Sequence, residues 1–221
     1  MIRPPESEQE LLERARALAG LELGEIAVAA GRALPPDLRR HKGVIGELLE
    51  HVLGATAATR PVPDFEALGV ELKTIPVGDD DYPRESTHIC TLSLHDVTGQ
   101  RWETSTVRRK LARVLWVPIE AQPSLALARR RIGRARLWSP TAAEESVLAA
   151  DWEEHMELIA TGRFDQIDGR LGTYLQVRPK AANRNAVMAA HDIDGVPGTT
   201  LPRGFYLRAS FTRRILHGDP T

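Results

Sequence analysis

The segment 61-PVPDFEALGVELKTIPV-77 decides the fold, because it reads as a loop followed by a β-strand that begins with two charged side chains. Residues two apart in a strand point to the same face, so Glu71 and Lys73 project together while Leu72 points into the core behind them. Asp64 lies in the preceding loop and can fold back to meet them. Three charged side chains are therefore expected together on a strand that would otherwise be apolar.

This combination of charges suits the hydrolysis of a phosphodiester. Two carboxylates provide the hard oxygen ligands that Mg²⁺ prefers, and a bound divalent ion can polarise the phosphate and activate water. A lysine beside the ion can orient or deprotonate that water and stabilise developing negative charge. The alternative is an ordinary solvated strand face with a Glu–Lys pair. Apolar neighbours at Leu68, Val70 and Ile75 favour a buried site.

The composition is that of a globular protein. The 221 residues are 42% hydrophobic and 27% charged, enough for one sizeable core or two small ones. No apolar run approaches the roughly 20 residues of a membrane helix, and the start MIRPPESEQE has no apolar signal region. The single cysteine, Cys90, excludes an intramolecular disulfide and a cysteine-based zinc site. We therefore expect a cytoplasmic protein that does not contact membranes.

Charge is unevenly distributed along the chain. The net charge of −1 is not that of a strongly basic nucleic-acid binder. Basic clusters nevertheless recur at residues 39–42, 108–110, 129–131 and 213–214, and acidic residues concentrate at 79–81 and 144–154. The folded chain could show one basic face, or the charges could be scattered and solvated.

The hydrophobic pattern predicts an α/β protein. We predict helices between Ser7 and Gly20 and over residues 21–30, 42–57, 140–162 and 180–190, with a helical turn at 211–216. The predicted strands cover residues 69–77, 86–94, 113–120, 173–178 and 201–207. Interleaved helices and strands suggest a central mixed sheet with helices packed around it, and the last third could form a second lobe.

Five blocks of the chain together resemble the MutH family of methyl-directed mismatch-repair endonucleases. They are KGVIGELLEHVLGA, DFEALGVELKTIPV, WETSTVRRKLARVLWVPIE, YLQVRPKAAN and LPRGFYL, in the order and spacing of the family. The resemblance covers nearly the whole chain. It implies a single endonuclease domain over residues 1–221 with a restriction-endonuclease-like fold, whose mixed central sheet is flanked by helices and whose two lobes grip double-stranded DNA in a cleft.

The resemblance also implies an activity. Members of this family use Mg²⁺ to nick the unmethylated strand at hemimethylated GATC sites, and MutL activates them after MutS has found a mismatch. Mn²⁺ or Ca²⁺ could take the place of Mg²⁺. We expect a bacterial, cytoplasmic monomer that associates with the nucleoid when active.

Site residues follow from the matching positions. The resemblance implies a catalytic trio of Asp64, Glu71 and Lys73, with Asp64, Glu71 and the backbone carbonyl of Leu72 as metal ligands. It adds Glu50 as a further active-site acid and Lys110 as a lysine near the active-site phosphate. Without the family, Glu50 reads as a surface residue of a helix, because it lies off the apolar stripe, and Lys110 reads as a solvated charge.

DNA contacts are implied at Lys42, Glu85, His88, Arg178, Lys180 and Tyr206. Arginine is the commonest bidentate reader of guanine, whereas lysine suits phosphate as a point charge. A tyrosine at the position of Tyr206 lies in the family beside the adenine whose methylation is sensed. Strand alternation predicts that only Phe205 of the pair Phe205–Tyr206 points into the core.

One position departs from the family. Where the family has an aromatic residue that wedges into DNA, this chain has His88. An imidazole can still stack and can donate a hydrogen bond. The remaining histidines, including His155, show no metal-ligand spacing and are interpreted as structural or surface residues.

Two other functions remain open at this point. The chain could be a GATC restriction endonuclease that acts without repair partners, or a catalytically inert DNA-binding module on the same fold. A serine or cysteine hydrolase has no support, because no Gly-x-Ser-x-Gly elbow is present and Cys90 falls within a predicted strand.

Overall fold

The computed structural model describes residues 2–38, 41, 43–80, 82–92, 97, 99–180, 188–191 and 197–218. Its helices are α1 (Glu8–Ala17), α2 (Leu23–Ala29), α3 (Val44–Leu53), α4 (Thr106–Leu111), α5 (Ala142–Ala160) and α6 (Ala209–His217). Its strands are β1 (Glu71–Val77), β2 (Thr87–Thr91), β3 (Val114–Glu120), β4 (Arg136–Trp138), β5 (Leu175–Pro179), β6 (Met188–His191), β7 (Pro197–Thr200) and β8 (Arg203–Leu207).

The described residues fall into two compact units. The first contains those within 1–84, 112–139 and 215–218, and the second those within 85–111 and 140–214. The predicted α/β class is confirmed. The strands form three small sheets within the described part of the chain, and the mixed sheet is the one in the first unit.

The first unit is built on a sheet in the order β1-β3-β4. Strands β1 and β3 are parallel, with Glu71 opposite Val114 and Lys73 opposite Trp116, and β4 is antiparallel to β3. Helices α1, α2 and α3 share one hydrophobic core with this sheet, in which Leu11, Leu49 and Leu115 are fully buried. Burial of these apolar side chains supplies the main driving force for folding.

Helix α3 ends earlier than predicted. The pattern predicts a helix to residue 57, but Gly54 takes a left-handed conformation (φ 82°) and caps the helix after Leu53. The chain then turns toward the loop that carries Asp64.

The second unit contains the antiparallel sheet β2-β8-β5, the antiparallel pair β6-β7 and helix α5. Helix α5 begins two residues after the predicted start, because Thr141 and Glu144 form a capping box at Ala142. Its buried apolar side chains, which include Leu148 and Ile159, form the apolar face of the helix.

One predicted helix is wrong in the part that the structure describes. The helix predicted over residues 180–190 overlaps Met188–His191, which is instead a strand paired with Pro197–Thr200, with Met188 opposite Thr200. Residues 181–187 lie outside the described residues. Alanine and methionine are good helix formers, but intrinsic preference is weak beside tertiary context, and pairing with a partner strand overrides it.

In the described part of the chain, no helix has the length and apolarity needed to cross a membrane.

Candidate active site and DNA-facing strands

The loop before β1 folds back onto the strand, as the sequence predicts. A carboxylate oxygen of Asp64, Oδ2, accepts a hydrogen bond from the backbone N–H of Leu72 at 2.7 Å. The backbone carbonyl of Asp64 accepts from the N–H groups of Thr56 and Ala57 at 2.9 and 3.2 Å. Bonds at both its main chain and its side chain therefore fix Asp64 between the end of α3 and the start of β1.

Glu71 and Lys73 form a buried ion pair at the start of β1. Lys73 Nζ donates to Glu71 Oε1 at 2.7 Å, and the side chains keep 17% and 3% of their exposure. The strand is held by its parallel partner, and the N–H of Glu71 donates to the carbonyl of Arg113 at 3.0 Å. A carboxylate this buried is stabilised by its partner charge and destabilised when that charge is removed.

Glu50 joins this cluster from α3. Burial of the side chain is the main cause of its raised pKa, and the negative charges of Asp64, Glu47 and Glu71 raise that pKa further while Lys73 lowers it. These contributions place Glu50 near Asp64, Glu71 and Lys73. Four charged side chains from three segments of the first unit therefore share one site.

A second group of predicted residues lies on the sheet β2-β8-β5. His88 and Tyr206 are opposite each other on β2 and β8, and their rings meet edge to face at 5.1 Å between centroids. The guanidinium carbon of Arg178, on β5, lies 5.9 Å from the centroid of the Tyr206 ring. These three side chains form one patch, which we call the aromatic patch.

The surroundings of Tyr206 agree with the predicted alternation. Phe205 is 2% exposed and belongs to the core, whereas Tyr206 remains partly exposed. Burial is the main cause of the raised pKa of Tyr206, Arg178 lowers that pKa and Glu85 raises it. Glu85 therefore acts on the same patch as Arg178. At the far end of β5, Lys180 Nζ donates to Thr91 Oγ1 at 2.6 Å.

Comparison with known proteins decides the family. The sequence model of a family described as DNA mismatch repair enzyme MutH matches residues 53–151. Proteins named DNA mismatch repair protein MutH are similar to nearly the whole chain. The one from Vibrio parahaemolyticus is 52% identical over 96% of this chain and 94% of its own. That from Photorhabdus laumondii is 49% identical over 96% and 93%, and that from Escherichia coli is 50% identical over 98% and 94%. This chain belongs to the MutH family.

Membership in the MutH family confirms the resemblance found in the sequence. The predicted enzyme class, an endodeoxyribonuclease of DNA mismatch repair, follows from it. The predicted roles of individual residues remain predictions.

The donor set at the MutH site fits a hard divalent cation. Among the residues that the structure describes, no group of three His, Cys, Asp or Glu side chains is arranged to hold a metal ion. The predicted ligand set has only two such side chains, Asp64 and Glu71, and its third member is the main-chain carbonyl of Leu72. Oxygen donors of this kind suit Mg²⁺, which keeps several of its own waters.

The structure places the predicted site residues in both units. Asp64, Glu71, Lys73 and Glu50 meet within the first unit, and His88, Arg178, Tyr206 and Glu85 within the second. Lys110 is a half-buried residue at the end of α4 in the second unit. Lys42 lies outside the described residues.

Sequence reasoning missed the buried polar residues of α5. Asp151 and His155 are 5% and 0% exposed, and both bond to the backbone around β5. The available signal was their spacing of four residues on the apolar face of the helix, where polar side chains need partners. The sequence did predict a structural or surface role for His155, and the structural one is correct.

Proposed function

We propose that this protein is a Mg²⁺-dependent endonuclease that nicks the unmethylated strand of hemimethylated GATC sites in mismatch repair. The observation that carries the proposal is the meeting of Asp64, Glu71, Lys73 and Glu50 at the start of β1. Asp64 and Glu71 offer carboxylate oxygens to a cation, and Glu50 lies near enough for their negative charges to raise its pKa.

The residues that would hold the ion are Asp64 and Glu71, with the backbone carbonyl of Leu72. Mg²⁺ is the proposed ion, and Mn²⁺ or Ca²⁺ could replace it, because all three accept oxygen ligands. When bound, the ion would offset negative charge on the phosphate and lower the pKa of water. The hydrogen bond from the Leu72 N–H to Asp64 Oδ2 orients this carboxylate beside the start of β1.

Lys73 has the position and charge for two tasks. Its ammonium group is held 2.7 Å from Glu71 Oε1, so its Nζ points along the same strand face as the proposed metal ligands. There it can orient the attacking water and stabilise the negative charge that develops on the phosphate. Glu50, with its raised pKa, takes up a proton at a higher pH than an exposed glutamate does. We assign Lys110 to the active-site phosphate.

We propose that the aromatic patch reads the GATC sequence. Arg178 is suited to bidentate bonds with guanine, and Tyr206 to close packing against the adenine amino group, where a methyl group would be excluded. His88 packs edge-on against Tyr206, which suits stacking beside that ring better than a wedge between bases. Lys180 and Lys42 are assigned to phosphates, and Glu85 to the loop beside the patch.

The larger arrangement is also part of the proposal. We propose that residues 1–221 act as one endonuclease domain with a restriction-endonuclease-like fold and two lobes around the DNA. The protein is proposed to be a cytoplasmic monomer, activated by MutL after MutS has bound a mismatch. The 49–52% identity to MutH proteins over 93–94% of their length supports these inferences.

The test is a cleavage assay on three duplexes that differ only in the methylation of a single GATC site. Each duplex is incubated with Mg²⁺, with and without MutL, using the wild type, Lys73→Met and Arg16→Met. Arg16 is an exposed cation on α1 and serves as the control for loss of a positive charge. We expect nicking of the unmethylated strand only, stimulated by MutL, lost in Lys73→Met and kept in Arg16→Met.

Other outcomes would favour other functions. Double-strand cleavage at GATC that ignores methylation and MutL would indicate a restriction endonuclease. Specific binding of GATC without cleavage under any of these conditions would indicate an inert DNA-binding module.

A further inference from the structure

Helix α5 covers the outer edge of strand β5. In the sheet order β2-β8-β5, β5 is an edge strand, and alternate residues of an edge strand direct their N–H groups away from the sheet. The groups that face β8 are identified by their bonds: the Tyr174 carbonyl accepts from Arg208 N–H at 2.9 Å, and Lys180 N–H donates to the Pro202 carbonyl at 2.7 Å. The backbone groups of residues 175, 177 and 179 therefore point away from β8, toward the outer edge of the sheet.

Each of these three outward positions is accounted for. The N–H of Leu175 donates to Asp151 Oδ2 at 2.8 Å, and the N–H of Val177 donates to His155 Nε2 at 3.3 Å. Pro179 has no N–H group. Asp151 also accepts from the N–H groups of Thr173 and Tyr174 at 2.7 and 2.6 Å, just before the strand. Two side chains of α5 thus hold the backbone of β5 along its length.

These bonds fix the strand that carries Arg178. Val177 immediately precedes Arg178, and Gln176 lies opposite Tyr206 in the sheet register. A displacement of β5 would therefore move Arg178 relative to Tyr206, whose ring lies 5.9 Å from the guanidinium carbon. Side chains that recognise a base must be held within a fraction of an ångström to bind it well.

We propose that Asp151 and His155 are positioning residues for DNA recognition, which hold β5 in the geometry that reads the site without touching the DNA. This inference rests on the proposed function, because it assumes that the aromatic patch contacts DNA. It gives a part in DNA specificity to Asp151 and His155, two buried residues of α5 that were not among the residues predicted to contact DNA.

The hydrogen bonds define the protonation state of His155. Since the N–H of Val177 donates to Nε2, that nitrogen carries no proton, and Nδ1 must donate to the Asp151 carbonyl, 2.6 Å away. The imidazole is therefore neutral, with its proton on Nδ1. A proton added to Nε2 would face the N–H of Val177, and the bond to β5 would be lost.

The surroundings of His155 favour this neutral form. The pKa of His155 is lowered, and burial is the main cause, with a smaller contribution from the charge of Arg208. The hydrogen bond to the Asp151 carbonyl and the charges of Asp151 and Glu154 act in the opposite direction and raise that pKa. The ring of Phe205 packs against the imidazole with 6.2 Å between centroids. Loss of the bond to Val177 is therefore expected only in acid, and it links DNA recognition to pH.

The experiment measures the affinity for a GATC duplex and for a scrambled duplex from about pH 5 to about pH 8, with Ca²⁺ in place of Mg²⁺. The proteins are the wild type, His155→Gln, which keeps a donor and an acceptor but does not titrate, and His217→Gln, a control at an exposed histidine. We expect the GATC preference of the wild type and of His217→Gln to fall about tenfold in acid, the effect of one lost hydrogen bond. The preference of His155→Gln should stay constant.

His88 is a second histidine and lies in the aromatic patch itself, so His88→Gln is measured beside the others. If His88→Gln removes the pH dependence and His155→Gln keeps it, the inference is overturned. A purely structural role for His155 would lower the stability of His155→Gln and leave the pH dependence of binding in place, which overturns it equally. No preference for GATC in any protein at any pH would refute the proposed function instead.

Two measurements do not depend on the folding of His155→Gln. The ¹⁵N shifts of the wild-type imidazole should show a neutral ring protonated at Nδ1 at neutral pH, and a ring protonated at Nε2 overturns the inference. Asp151→Asn replaces one carboxylate oxygen by a donor that faces backbone N–H groups. It should lose about tenfold in GATC preference at every pH while its affinity for scrambled DNA stays unchanged. An unaltered preference in Asp151→Asn overturns the inference.

Discussion

Removal of Lys73 should destabilise the protein and inactivate it for two different reasons. Lys73→Met keeps much of the side-chain volume but removes the charge 2.7 Å from Glu71 Oε1. Breaking a buried ion pair costs about 3–5 kcal/mol, because the remaining charge stays buried. Lys73 keeps 17% of its side-chain exposure, so the lower end of that range applies. We expect a decrease of about 3 kcal/mol in the free energy of unfolding.

A second substitution separates the two effects. Glu71→Gln in the Lys73→Met background removes the buried charge that the first change leaves behind. We expect the double variant to regain about 2 kcal/mol of the lost stability, since replacing both members of a buried pair is often nearly neutral. Its activity should not return, because both a proposed metal ligand and the lysine are gone.

Urea unfolding followed by circular dichroism, together with nicking assays on the same samples, measures both quantities. Arg16→Met serves as the control for a lost surface charge and should change the stability by less than about 0.5 kcal/mol. If Lys73→Met unfolds at the wild-type urea concentration, the buried pair is not under the electrostatic constraint inferred from its geometry. If the double variant is no more stable than Lys73→Met, the cost does not come from an uncompensated carboxylate.

Three further perturbations test other parts of the structure. Glu50→Gln should be more stable than the wild type at neutral pH, and this difference should shrink as the pH falls. Because the carboxyl pKa is raised in the folded state, the wild type loses stability as Glu50 ionises, whereas glutamine does not ionise. Urea unfolding at acidic and at neutral pH measures the difference. Arg178→Lys should lower the preference for GATC over a scrambled duplex about tenfold in a competition assay and leave non-specific affinity unchanged, because lysine cannot form the bidentate contact. Gly54→Ala should lower the free energy of unfolding by about 2 kcal/mol, because Gly54 has φ 82° and the added Cβ would lie 2.8 Å from the Arg3 carbonyl oxygen. Gly69 is also left-handed but has open space around the Cβ position, so Gly69→Ala should lower it by only about 1 kcal/mol. Thermal unfolding measures both.

The start of β1 was predictable because its information is local. Strand alternation alone places Glu71 and Lys73 on one face, and Asp64 is separated from Leu72 by only eight residues, a short reach for a loop. Glu50 was harder to predict, because a helical pattern shows that it lies off the apolar stripe but not what packs beside it. Its half-buried state depends on β1, which the pattern of α3 does not contain.

The contacts that hold β5 were not predictable in the same way. Asp151 accepts a hydrogen bond from the N–H of Thr173, 22 residues away, and no sequence motif between the two residues predicts this bond. Likewise, residues 188–191 form a strand only because residues 197–200 pair with them. Where a partner distant in sequence decides the structure, local preferences give the wrong element or no prediction at all.

The covered edge of β5 also has a consequence for the protein in concentrated solution. An edge strand with free N–H groups is a template on which a strand of another molecule can add, and this is a common route to aggregation. Along β5 the outward N–H groups of Leu175 and Val177 are bonded to α5, and Pro179 has none. A second molecule would find no donor there to pair with. The same side chains that fix the strand thereby protect the sheet β2-β8-β5 from self-association through β5.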